Sequence, residues 1–97
     1  MKTLREIQRA VSKYAEQNDI KSVQLFGSYA DGTATNDSDI DILVEYHQPP
    51  TLLNYLGFQE QLQNELGIKV DILKYPIDSR KLIFPNFKIK KIIPLYG

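Results

Sequence analysis

From Asp39 to Val44 the chain reads DIDILV, and acidic and apolar side chains exchange places almost residue by residue. A period of two makes a strand with two chemically different faces: Ile40, Ile42 and Val44 turn into an apolar layer, while Asp39 and Asp41 turn together to the opposite side. Two anions held side by side in this way repel each other unless a cation sits between them. The strand therefore needs a hydrophobic layer on one face and a counter-charge on the other.

The flanking sequence supplies the layer. Thr3 and Glu6 form a capping box, and Leu4, Ile7, Val11 and Tyr14 or Ala15 follow at helical spacing, which predicts a first helix to about Gln17. Lys21 to Phe26 reads as a strand running into Gly27, at a turn where a side chain would be in the way. Ser28 to Asp31 starts a short helix, and the polar run from Gly32 to Asp37 delivers the chain to the second strand, about Ile40 to Tyr46. After the break at Pro49-Pro50, Leu52, Leu53, Leu56, Phe58 or Gln59, Leu62 and Leu66 recur at helical intervals, with Gly57 weakening the run and Gly67 capping it. Leu52, Leu53, Tyr55, Leu56 and Phe58 are more apolar than one helix face requires; core packing is the default, with exposure of some of them to a partner as the alternative. Ile68 to Leu73 reads as a third strand, followed by Pro76 and a short helix over about Asp78 to Leu82. The closing PNFKIKKIIPLYG fits either a short helix or an edge strand.

This order predicts an α/β (α+β) fold, a small mixed sheet flanked by helices, in a single domain over residues 1–97. A chain of this size buries roughly 60–65% of its unfolded surface, so an open site is expected, one that a partner or a second subunit would complete. Twelve basic residues balance twelve acidic ones, which argues against a domain built to grip a nucleic-acid backbone. Lys88, Lys90 and Lys91 beside Phe87 and Tyr96 read as a solvated face. The absence of cysteine excludes disulfides and thiolate metal sites. With no export signal and no apolar run long enough to span a bilayer, a cytoplasmic protein is expected. His47, the sole histidine, precedes Gln48-Pro49-Pro50 and reads as a surface loop residue. Gly27 and Gly32 have the spacing of a P-loop, but Thr33-Ala34 stand where lysine and a hydroxyl residue are required.

Asp71, between Val70 and Ile72, should return on the third strand to the same sheet and lie beside Asp41. Carboxylates together with water and phosphate are the usual ligands of magnesium. Three of them around two metal ions can activate a hydroxyl and stabilise the entering and leaving oxygens at phosphorus. Gly27 lets the backbone approach a phosphate closely, and Ser28 adds a hydroxyl and exposed N–H groups.

Gly27-Ser28, ten intervening residues, Asp39-x-Asp41 and a later strand Asp71 together resemble the minimal nucleotidyltransferases of the DNA polymerase β-like superfamily, over nearly the whole chain. The resemblance implies that superfamily's fold and transfer of a nucleoside monophosphate from ATP or another NTP to a hydroxyl, with two Mg2+ ions. Asp39, Asp41 and Asp71 would be the catalytic metal ligands, with Asp71 also helping to activate the acceptor; Gly27 and Ser28 would hold the β- and γ-phosphates. Short members of the family are similar to antitoxins that attach AMP to a tyrosine of a HEPN-domain toxin, which makes such a toxin the expected partner. Neutralisation of the partner by contact alone, and transfer to a small hydroxylated molecule, are the alternatives. The resemblance departs at Asp31, where many relatives carry arginine in a turn reading GSxARG; an anion there weakens the field for a triphosphate, and Arg80 or Lys81 could compensate.

Overall fold

The computed structural model describes residues 1–75 and 91–97. Helix α1 (Leu4–Ala15) starts at the capping box: the Glu6 N–H donates to Thr3 Oγ1 at 3.1 Å, and the Thr3 N–H donates to Glu6 Oε1 at 3.3 Å. Both bonds satisfy donors that the helix end leaves open. Ile7, Ala10, Val11 and Ala15 are buried while Leu4 stays exposed. The helix ends short of Gln17, where the Asn18 side-chain amide turns back to donate to the Tyr14 carbonyl (2.6 Å) and to Gln61 Oε1 (3.0 Å).

Strands β1 (Ile20–Phe26), β2 (Ile40–Tyr46), β3 (Val70–Tyr75) and β4 (Ile93–Tyr96) form one mixed sheet in the order β3-β2-β1-β4. Strand β1 runs antiparallel to both neighbours, whereas β2 and β3 are parallel, as a crossover through helix α3 (Leu52–Leu66) requires. Of the closing segment, Ile93–Tyr96 is an edge strand, because β1 offers it a free row of backbone partners. The helix expected over residues 78–82 lies outside the described residues, as do Arg80, Lys81, Phe87, Lys88 and Lys90.

Helices α1 and α3 cover one face of the sheet. Val23 and Leu25 of β1, Ile40, Ile42 and Val44 of β2, Val70 and Ile72 of β3 and Leu95 of β4 join the buried helix residues in one cluster. The alternate residues, Gln24, Leu43, Asp41 and Asp71 among them, lie on the other face. The result is a mixed α/β layer whose second face carries Asp41 and Asp71 side by side. No helix among the described residues is long and apolar enough to cross a membrane.

Helix α3 passes through Gly57 without a break and closes at Gly67, whose N–H donates to the Gln63 carbonyl at 2.8 Å. Its excess of apolar residues resolves into two stretches. Phe58, Leu62 and Leu66 enter the core, while Leu52, Leu53 and Leu56 of the first turns are 73%, 80% and 45% exposed. One stripe further round, Tyr55, Gln59 and Gln63 recur every fourth residue and face the edge of β3 that is turned away from β2. The Tyr55 hydroxyl donates to the Ile72 carbonyl (2.8 Å), Gln59 Nε2 donates to the Val70 carbonyl (2.8 Å), and the Val70 N–H donates to Gln63 Oε1 (3.0 Å). These side chains pair an edge that would otherwise invite another strand.

Candidate active site

The site is built where β1 ends and β2 begins. Phe26 pairs with Asp41, so the residue after Phe26 arrives directly over the Asp41 side chain. That residue is Gly27, at φ 75° and ψ −156°, a conformation open essentially to glycine alone. A Cβ at this position would collide with Asp41 Oδ2 and sit 3.2 Å from its Cγ. Glycine is required here both for its backbone angle and for the space the carboxylate occupies. Helix α2 (Ser28–Asp31) follows, tied back by the Ala30 and Asp31 N–H groups donating to the Gly27 carbonyl at 3.0 and 3.1 Å. Ser28, half-buried, stands at its first position, where a helix leaves its N–H groups without internal partners.

Asp31 holds the turn that follows helix α2. Its Oδ1 accepts from the Thr33 hydroxyl and from the Thr33 N–H (3.0 Å), pinning the turn at Gly32. The next turn is held by Thr35 and Ser38: the Thr35 N–H donates to Ser38 Oγ at 2.8 Å and the Ser38 N–H returns to the Thr35 carbonyl at 3.1 Å. Asp39 follows at once.

On the far side, parallel pairing sets Asp41 opposite Asp71 in register, and Ile40 opposite Val70. The Ile40 N–H donates to the Lys69 carbonyl at 2.9 Å, which brings the starts of the two strands together. Asp39, Asp41 and Asp71 thus line one rim of the second face, all of them partly exposed. Burial pushes the Asp41 carboxyl up to about 6, with the charges of Asp71 and then Asp39 adding to the effect. The Tyr55 hydroxyl, bonded to the Ile72 carbonyl beside Asp71, is pushed up as well, first by burial and then by the Asp71 charge.

The three carboxylates do not by themselves close into a cage, and among the described residues no group of three or more His, Cys, Asp or Glu is gathered tightly enough to hold a metal ion. Instead the Lys69 ammonium lies 4.0 Å from Asp39 Oδ2 and 3.8 Å from Asp71 Oδ1. In donor type and charge the residues fit a hard divalent cation: carboxylate oxygens are its usual protein ligands, and the excess negative charge felt by Asp41 is what such an ion relieves. The sequence reading missed Lys69 and the α3 stripe. Lys69 shares a strand face with Asp71 by simple alternation, and Tyr55, Gln59 and Gln63 share a helix face by fourfold spacing, so both signals were present in the chain.

A mixed sheet with a glycine turn packed on one of two registered carboxylates is the framework of a nucleotidyltransferase, and the chain belongs to that family: the Nucleotidyltransferase domain matches residues 4–94. It is an enzyme of this class. Among curated relatives, it is 42% identical over 77 residues to a Methanocaldococcus jannaschii protein described as a candidate protein adenylyltransferase, an alignment covering 75% of this chain and 90% of the relative. It is 36% identical over 77 residues to protein adenylyltransferase MntA of Thermococcus cleftensis, covering 75% and 78%. Among solved structures, it is similar to a chain of a toxin–antitoxin determined with AMP-PNP (TM-score 0.75, 25% identity, 93% of this chain and 73% of that one). A structure described as a candidate minimal nucleotidyltransferase matches with TM-score 0.72, 32% identity, and 95% and 92% coverage. The fold is also shared with a Shewanella oneidensis complex of a tri-AMPylated HEPN toxin and its MNT antitoxin, at TM-score 0.69, 22% identity, and 96% and 71% coverage.

Proposed function

We propose that this single domain over residues 1–97 is a cytoplasmic nucleotidyltransferase that moves AMP from ATP to a hydroxyl of a partner protein, as the antitoxin of a HEPN toxin. The observation that carries the reading is the registered Asp41–Asp71 pair with Gly27 packed on the Asp41 carboxylate. The relatives named as protein adenylyltransferases and the toxin–antitoxin neighbour support the acceptor class.

In this reading Asp39, Asp41 and Asp71 would hold two Mg2+ ions, whose chemistry would be to polarise the α-phosphate and offset charge on the leaving pyrophosphate. Gly27 admits the β- and γ-phosphates close to the backbone, and Ser28 donates to their oxygens. Asp71 orients the acceptor hydroxyl and takes its proton as the new oxygen–phosphorus bond forms and the bond to pyrophosphate breaks. Asp39, Asp41 and Asp71 are all partly exposed, so an acceptor side chain on another protein can reach them. Labelled ATP, Mg2+ and the partner toxin should give a labelled toxin. Retention of labelling by Asp39→Ala or Asp41→Ala would refute the mechanism.

Neutralisation by contact alone is the competing reading, motivated by Asp31, an anion that accepts from Thr33 at the turn where a cation would favour a triphosphate. Under it, Asp39→Ala would bind and silence the partner as well as the parent does, with no label transferred.

A further inference from the structure

The backbone of Lys69 is fixed at the mouth of the site, since its carbonyl accepts the Ile40 N–H at 2.9 Å. Its side chain, 67% exposed, reaches across β3 and β2 so that one ammonium stands within 4.0 Å of both Asp39 and Asp71, residues from different strands. Among the described residues no other cation makes an ion pair with these carboxylates. The position between Asp39 and Asp71 is also the one that the proposed function gives to a divalent cation.

We propose that Lys69 is a built-in counter-cation of the carboxylate rim: its ammonium balances Asp39 and Asp71 while the metal is away, and an entering divalent cation must displace it. This rests on the metal-dependent reading of the site. The charge count gives the sign. Removing one positive charge from beside two carboxylates leaves the rim more negative, so it binds a divalent cation more tightly, while the metal-free rim becomes less comfortable. Lys69 thereby raises the metal concentration at which the rim fills and spares the empty site its own repulsion. A lysine suits the task better than an arginine fork locked in bidentate pairing, because a compact ammonium on a flexible stem can leave without breaking a fixed geometry.

The test is Mn2+ binding to the whole chain, read from the electron-paramagnetic-resonance signal of free Mn2+ at neutral pH and low ionic strength, with no nucleotide and no turnover. Lys69→Gln should tighten Mn2+ by about threefold to tenfold, the range expected when one or two exposed ion pairs stop competing; Lys69→Arg should move it toward the parent value. The advantage of Lys69→Gln should shrink at high salt, where exposed charges are screened. An Mn2+ affinity unchanged or weakened in Lys69→Gln overturns the counter-cation role, and so does a parent chain that binds no Mn2+, since nothing is then displaced. Asp39→Asn separates the two claims. If it binds Mn2+ as well as the parent does, the metal lies elsewhere and the site reading fails too. If it loses Mn2+ while Lys69→Gln changes nothing, only the role of Lys69 fails.

Discussion

Three glycine-to-alanine substitutions should give three different outcomes, and their differences isolate the contact at the centre of the site. Gly32→Ala adds a methyl at φ 84° with nothing within 4 Å, so only backbone strain is felt, about 1–2 kcal/mol. Gly27→Ala incurs strain of about 1–3 kcal/mol in a region open essentially to glycine, and in addition the new methyl meets the Asp41 carboxylate. Relieving that contact turns Asp41 from its rotamer, about 0.5–1.5 kcal/mol more. The combined loss, about 2–4 kcal/mol, is a large share of the roughly 5–15 kcal/mol that holds such a domain together. At about 4–8 °C per kcal/mol, Gly27→Ala should lower Tm by about 8 °C or more and Gly32→Ala by clearly less. Gly57→Ala, in mid-helix with open space around the new methyl, should raise stability by about 0.5–1 kcal/mol. Thermal unfolding followed by circular dichroism measures all three, and toxin labelling should be lost in Gly27→Ala but kept in Gly32→Ala. Equal destabilisation at positions 27 and 32, or undiminished labelling in Gly27→Ala, would refute the claim that the turn packs on Asp41.

The metal-free protein should lose stability as pH rises from about 4 to above 6, because the Asp41 carboxyl, raised from 3.8 to about 6 in the fold, holds its proton more readily there than in the unfolded chain. Asp41 is partly exposed to solvent, so the loss is discounted to about 1–2 kcal/mol; Asp41→Asn should flatten this part of a Tm-against-pH curve, and an unflattened curve rejects the assignment. Two tyrosines should respond with opposite signs in urea titrations. Tyr46, whose buried hydroxyl has no partner among the described residues and is pushed up to about 12 by burial, should gain up to about 1 kcal/mol as Tyr46→Phe. Tyr55→Phe gives up the bond to the Ile72 carbonyl and should lose about 1 kcal/mol. Gln63→Leu leaves the Val70 N–H without its partner and should cost about 1–3 kcal/mol; a neutral result would mean that α3 does not hold the β3 edge.

That edge bears on function as well as stability. Tyr55, Gln59 and Gln63 take the backbone groups of Val70 and Ile72, the residues on either side of Asp71. In a parallel pair alternate residues point their N–H and carbonyl groups away from the neighbouring strand, so Asp71 is held to β2 on one side while its neighbours are held to α3 on the other. The helix that covers the core thus also fixes the strand on which one of the proposed metal ligands rides.

Local sterics account for what could be read directly from the chain. The alternation at Asp39 to Val44 set both carboxylates opposite the core, the Thr3–Glu6 box started α1, and glycine stood where β1 meets its turn, because each depends on residues within a few positions of one another. The pairing of Asp71 with Asp41 was expected from the strand-helix-strand order, but which residue meets which was decided by the parallel register. Three further features were set by long-range packing. The end of the chain became a strand only because β1 had a free edge. Leu52, Leu53 and Leu56, apolar enough for a core, stand exposed because the sheet has room beneath α3 for Phe58, Leu62 and Leu66. Lys69 reaches Asp39, thirty residues earlier in the chain, because β2 and β3 start side by side. The chain by itself determined which faces and turns are chemically required, since those follow from covalent geometry and alternation. Only the tertiary structure decided which charges meet, because the distance between side chains on different strands is set by register and by the helix that fixes it.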